Sequence, residues 1–310
     1  MNRNRFAGLA AIALVAGAVS PVLSDTHRPV DAYPATLGNS DAAAYPTRYA
    51  ANRAELTRLS RAGGPRAAAY ARAARRQVLA FDPRGDGRLV EVFGDLARAG
   101  RVVVYVPGNA KRLDNFDAAT SAEPRTAPGP VARALAAEAR KARPSARTAV
   151  IAWLGYDAPE NIDAVAAESV RAKAGARSLT RLLRILPHRA RVSLVCHSYG
   201  SVVCGRVAAH HRVADLVALA SPGMDVRSAR SLKATVWAGR ASDDLIRFAP
   251  HVRVAGLGHG ADPMAPSFGA RRVDTTGAHG HEGYFVPGGR SLRQIAGVVT
   301  GDARPEAGGI

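Results

Sequence analysis

From residue 101 onward, short uninterrupted apolar runs alternate with longer alanine-rich stretches. The apolar runs are Arg101–Val106, Thr148–Leu154, Val192–Val195, Leu216–Ala220 and Ala234–Ala238. Runs without polar alternation mark strands buried on both faces. Pro130–Ala142, Ile162–Leu186 and Ser201–His210 are compatible with helix between them, with Gly175 and Pro187 as punctuation. This alternation predicts an α/β fold with a mostly parallel central sheet and helices on both faces. Upstream, Val78–Phe81 and Leu89–Val92 flank the turn-forming Asp82-Pro83-Arg84-Gly85-Asp86-Gly87, which predicts a strand pair. Thr47 to Ala80 reads as two helices broken at Gly63-Gly64-Pro65, an N-terminal helical extension. The expected organisation is a leader over 1–24, linker and helical extension over 25–77, the α/β domain over 78–300 and a flexible tail over 301–310.

The leader changes the expected destination. Arg3 and Arg5 precede the apolar Phe6–Val19, Ala16-Gly17-Ala18 offers a cleavage site, and Pro21 interrupts any longer helix. A secreted or cell-envelope protein is expected, with an uncleaved anchor as the alternative. The chain carries a formal charge of +18, yet no basic block with interleaved aromatics marks a nucleic-acid site. The charge instead allows association with an anionic cell surface. With aromatics at 5%, the core must be built mainly from Ala, Val and Leu. The two cysteines, Cys196 and Cys204, sit at the end of a strand and along the following helix. A helix rises about 1.5 Å per residue, so two buried thiols are expected rather than a bridge.

Candidate chemistry is concentrated after the third apolar run. Cys196-His197-Ser198-Tyr199-Gly200 lies between a strand and a helix, the layout of a nucleophile elbow, with Cys196 where G-x-S-x-G has its first glycine. A serine needs an imidazole base and a carboxylate to orient it, in the chain order Ser, Asp or Glu, His. Asp243 and Asp244 follow the run Ala234–Ala238, and the sequence gives Asp243 only a slight preference. His281 lies between Gly280 and Gly283 in a later loop, with His279 and His259 as alternatives. Oxyanion donors are expected from the backbone of Tyr199 and of Gly108 or Asn109, after the first buried strand. The H-E-x-x-H pattern, a P-loop and a G-x-G-x-x-G after a strand are all absent from the sequence, so no metal or nucleotide cofactor is expected.

Several motifs together resemble a branch of the α/β-hydrolases common in actinobacteria and of largely unknown function. They are Phe81–Gly87, Val106-Pro107-Gly108-Asn109 with Asp114-Asn115-Phe116, Ala152–Pro159, Cys196–Ser201, Ser221-Pro222-Gly223, His259–Pro263 and His281–Phe285. The resemblance implies a triad of Ser198, one of the two aspartates and His281. The expectation is an exported serine hydrolase acting on a small-molecule or envelope-derived ester, an amide being the less favoured bond. The segment from Gly155 to Ala174 shows no amphipathic lid, which favours a small or medium ester over a long-chain triglyceride. The alternative is a catalytically silent hydrolase-fold protein that binds anionic envelope components.

Overall fold

The structure, a computed structural model, describes residues 44–118, 126–160, 169–253 and 257–302. The leader, the linker up to residue 43, the tail beyond residue 302 and the start of the Ile162–Leu186 helix lie outside the described residues. Eight strands form one sheet: β1 (Val78–Asp82), β2 (Arg88–Phe93), β3 (Arg101–Val106), β4 (Thr148–Leu154), β5 (Arg191–His197), β6 (Asp215–Leu219), β8 (Thr235–Gly239) and the short β10 (Arg271–Arg272). Their order is β1-β2-β4-β3-β5-β6-β8-β10. β1 and β2 form an antiparallel hairpin, and β2 pairs antiparallel with β4. From β4 across to β10 every pairing is parallel.

The apolar runs become central strands because both of their faces are covered. In β3, Val102, Val104 and Val106 join one core cluster while Val103 and Tyr105 join the other. One face is packed by α4 (Val170–Ile185) through Ala172, Leu179 and Leu182, and by α5 (Gly200–Ala208) through Val202 and Val203. The opposite face is packed by α3 (Pro128–Ala142) through Val131 and Leu135, and by α6 (Arg290–Thr300) through Leu292 and Ile295. The N-terminal helices α1 (Ala44–Arg61) and α2 (Ala67–Ala73) are tied into this core. Tyr45 donates its hydroxyl to the Ile185 carbonyl at 2.6 Å, and Asn52 donates to the Val78 carbonyl at 2.9 Å.

Two short strands, β7 (Gly223–Val226) and β9 (His259–Gly260), pair parallel outside the main sheet. At two to four residues they are too short to leave a periodic signature.

The two cysteines overturn the expectation of free thiols. Cys196 and Cys204 form a disulfide with their Cα atoms 6.6 Å apart. Helical rise counted outward from the strand overstates the distance between the two cysteines. The turn instead folds the chain back, so the first turns of α5 return alongside β5. The separation then falls within the range a disulfide spans, about 4.4–6.8 Å.

Candidate active site

The carboxyl ends of β3, β5 and β8 and the loop after β10 converge on Ser198. The hydroxyl-bearing residue stands between the last residue of β5, His197, and the helix that opens at Gly200. Ser198 holds φ at 52°, in the left-handed region. Such a turn leaves no room beside it. A Cβ on Gly200 would lie 2.5 Å from the Val106 carbonyl oxygen, and one on Gly108 would lie 2.7 Å from the Ser198 Cβ. At the position two before the serine, Cys196 is accommodated, its sulfur turned into the disulfide. Ser201 donates its hydroxyl to the Ser198 carbonyl at 2.6 Å and lies 2.7 Å from the Ser221 hydroxyl, fixing the start of the helix.

The imidazole of His281 meets the serine from the loop before α6. Its Nε2 is 2.9 Å from Ser198 Oγ, and its Nδ1 lies 3.0 Å and 3.2 Å from the two carboxylate oxygens of Asp244. An ionised carboxylate only accepts. Nδ1 therefore carries the proton, and the Nε2 lone pair faces the serine hydroxyl.

Asp244 is fully buried. It also accepts from the Tyr284 hydroxyl at 2.5 Å and from the Ile246 N–H at 2.9 Å. Burial alone would raise its pKa. The hydrogen bonds from His281, Tyr284 and Ile246 outweigh that effect and hold the carboxyl below the ordinary value. Asp243, the preferred of the two in sequence, is not the partner of His281. It points outward, accepts the Gly280 N–H at 2.9 Å and lies 3.5 Å from the exposed His279. The reason is local: Asp244 N-caps the 3₁₀ turn Leu245–Phe248, which turns its side chain inward. His259 is engaged elsewhere, 3.4 Å from Asp225.

Two residues within the quoted motifs take positions that the sequence did not assign. His197 is buried directly under His281, with the two imidazole centroids 4.9 Å apart. Its Nε2 is 2.7 Å from the His281 carbonyl oxygen, so this nitrogen donates. Burial first, then the neighbouring His281, pushes its pKa down to about 3, keeping it neutral. Its place next to the serine was the only available signal. Tyr156 is the second. It donates to the Pro107 carbonyl at 2.8 Å and stacks between Trp153 and Tyr199. The run Trp153-Leu154-Gly155-Tyr156 thereby braces both the loop carrying Gly108 and the residue after the serine.

A cavity of about 280 Å³ opens at the serine. Its walls include Gly108, Asn109, Lys111, Thr126, His281 and Glu282, with polar and apolar surface in comparable share. Larger hollows of about 700 and 670 Å³ lie against the far ends of α4 and α5 and hold no serine–imidazole pair. Among the described residues, no group of three or more His, Cys, Asp or Glu side chains is arranged to hold a metal ion.

The parallel sheet, the elbow at the end of β5 and the residues after β8 and β10 define an α/β-hydrolase domain. A family model described as alpha/beta hydrolase matches residues 82–254, more than half of the chain, and the chain belongs to that family. Two uncharacterized proteins from strains of Mycobacterium tuberculosis are each 29% identical over 268 residues. The match covers 72% of this chain but only 39% of theirs, so the chain spans well under half the length of these relatives. Among solved structures, an alpha-beta serine hydrolase homologue from Coxiella burnetii is 11% identical, with a TM-score of 0.37 and coverage of 72% of this chain and 94% of that one. A serine hydrolase without a lid from Xanthomonas campestris is 14% identical, with a TM-score of 0.37 and coverage of 73% and 92%. Likenesses this weak add nothing to the family assignment.

Proposed function

We propose that the protein is an exported serine hydrolase that cleaves an ester through Ser198, His281 and Asp244. The observation that carries this reading is the unbroken hydrogen-bond chain from the Asp244 carboxylate through His281 to Ser198 Oγ. As Ser198 Oγ attacks the ester carbonyl carbon, its proton passes to His281 Nε2. The carbonyl oxygen becomes an oxyanion, held by the N–H of Tyr199 and that of Gly108 or Asn109. Collapse expels the alkoxide, which takes the proton back from His281 and leaves as the alcohol. Water, deprotonated by His281, then attacks the acyl-enzyme and releases the acid, restoring the serine. Asp244 keeps Nδ1 protonated and stabilises the imidazolium in both steps.

Export is supported by the leader-like Arg3–Ala18 stretch and by the disulfide, a bond characteristic of oxidising compartments. No helix among the described residues is long and apolar enough to cross a membrane. A fluorophosphonate probe tests the chemistry. Wild type should be labelled and Ser198→Ala should not. Equal labelling of both, or none of a folded wild type, overturns the proposal.

A further inference from the structure

Among the described residues, large apolar side chains are almost wholly buried, and the exceptions are not scattered. Among the described residues five remain exposed, and four of them fall in one stretch immediately after the carboxylate that holds His281. Leu245 is 75% exposed, Phe248 70%, Val252 56% and Leu257 48%. Scattered apolar exposure is ordinary, whereas a cluster of this kind marks a surface meant to be covered. The 3₁₀ turn Leu245–Phe248 starts on the residue after Asp244, so it stands on the catalytic edge of the sheet. The backbone next to the exposed Leu257 returns to Val252, because a Cβ on Gly258 would lie 2.1 Å from the Val252 carbonyl oxygen.

The charges in this stretch all have one sign. From Leu245 to Gly258 it carries Arg247 and Arg253 and no carboxylate. The Arg247 guanidinium lies 4.7 Å from the centre of the Phe248 ring and donates to the Ser242 carbonyl. Arg253 reaches Asp225 at 3.0 Å. The nearest exposed carboxylate before the stretch, Asp243, faces His279. Apolar side chains flanked by arginine are what an anionic lipid surface accepts. The apolar groups enter the acyl boundary while the guanidinium stays among the headgroups. The formal charge of +18 for the whole chain favours the same partner.

We infer that residues 245–253 are an interfacial docking element, which seats the catalytic edge on an anionic lipid surface and presents Ser198 to esters carried by amphiphiles in that surface. The substrate half of this statement rests on the proposed ester chemistry, whereas the docking half does not. The cavity at Ser198, with Lys111, Thr126 and Glu282 in its walls, receives the ester group of such a molecule, and the apolar loop takes the surface itself.

The test uses the full chain carrying Ser198→Ala, so that no lipid is consumed. Vesicles of phosphatidylcholine alone are compared with vesicles of phosphatidylcholine and phosphatidylglycerol in equal parts. Binding to the anionic vesicles is expected to fall by about tenfold or more for each of Leu245→Ser and Phe248→Ser, the factor for keeping one large apolar side chain out of water. Phe248→Trp should bind normally and shift its emission to the blue only on the anionic vesicles. In the active protein, Leu245→Ser/Phe248→Ser should raise KM for a vesicle-borne ester and leave kcat/KM for a soluble ester within about twofold. Vesicle binding that survives the double substitution overturns the inference, as does absence of binding by the unsubstituted chain. Lipid-free self-association that the same substitution abolishes also overturns it, because a second copy would then be the occupant. Vesicle binding that depends on Leu245 and Phe248 without turnover of any ester upholds the docking element and sinks the ester-hydrolase reading alone.

Discussion

Ser198 keeps a left-handed backbone conformation that costs a residue with a side chain about 1–2 kcal/mol. The surrounding contacts hold it there: Gly108 and Gly200 press on the turn and Ser201 anchors its carbonyl. Asp243 and Asp244 are chemically identical neighbours with opposite surroundings, one in solvent and one buried beneath Tyr284. Asp244→Asn should therefore lower kcat by about 10³–10⁴-fold, since an amide that turns its NH₂ toward Nδ1 favours the wrong imidazole tautomer. Asp243→Asn should leave kcat within a few-fold of wild type. Steady-state kinetics on a soluble ester compares the two. The serine and histidine were legible because glycine-rich turns and aromatic anchors surround them. Which aspartate turns inward was not, because that depends on a 3₁₀ turn whose cap is read from dihedral angles. His197 was hidden for a different reason: nothing in sequence separates a buried imidazole packed under His281 from one that merely ends a strand.

At the scale of elements, β5 and α5 are joined twice, by the elbow and by the disulfide. The cross-link closes a short loop, and the chain-entropy estimate for such a loop is about 2–3 kcal/mol. The Cys196→Ser/Cys204→Ser variant should melt about 5–10 °C below the oxidised protein. Calorimetry measures the difference, and equal melting temperatures would show that packing alone holds the junction. The seven longer strands of the main sheet were legible as short apolar runs with punctuation between them. β5 extends through Cys196 and His197, past the apolar core of the run, because both pair with Ala218 and Leu219 of β6. The bridge was not legible, since it depends on how sharply the chain reverses and not on separation along it.

The molecule as a whole couples its folding to pH through His197. In the folded state this imidazole stays neutral down to about pH 3, whereas in the unfolded chain it takes up a proton near its ordinary value of 6.5. Between those values the unfolded state binds more protons, so stability is full above about pH 6.5 and falls as pH decreases toward 3, by up to about 1.4 kcal/mol per pH unit. Denaturant unfolding across that range should show the slope, and His197→Gln, which retains a donor for the His281 carbonyl but cannot titrate, should flatten it. If the two proteins share one slope, other groups carry the pH dependence. The layered architecture was visible in the alternation of runs. The attachment of α1 to both core clusters through Tyr45 and Leu56 was not, because an Ala- and Arg-rich helix gives little sign of which face it buries.

The sulfur–sulfur bond beside Ser198 also bears on how the protein should be made. Cys196 and Cys204 are enclosed in the interior, so an oxidant added to purified, folded material reaches them only after local opening. Recombinant chain harvested from a reducing host cytosol would carry a serine whose seat lacks its covalent tie, and its measured turnover would describe that unfinished form. Production through a periplasmic or other thiol-oxidising route gives the form whose activity is worth recording.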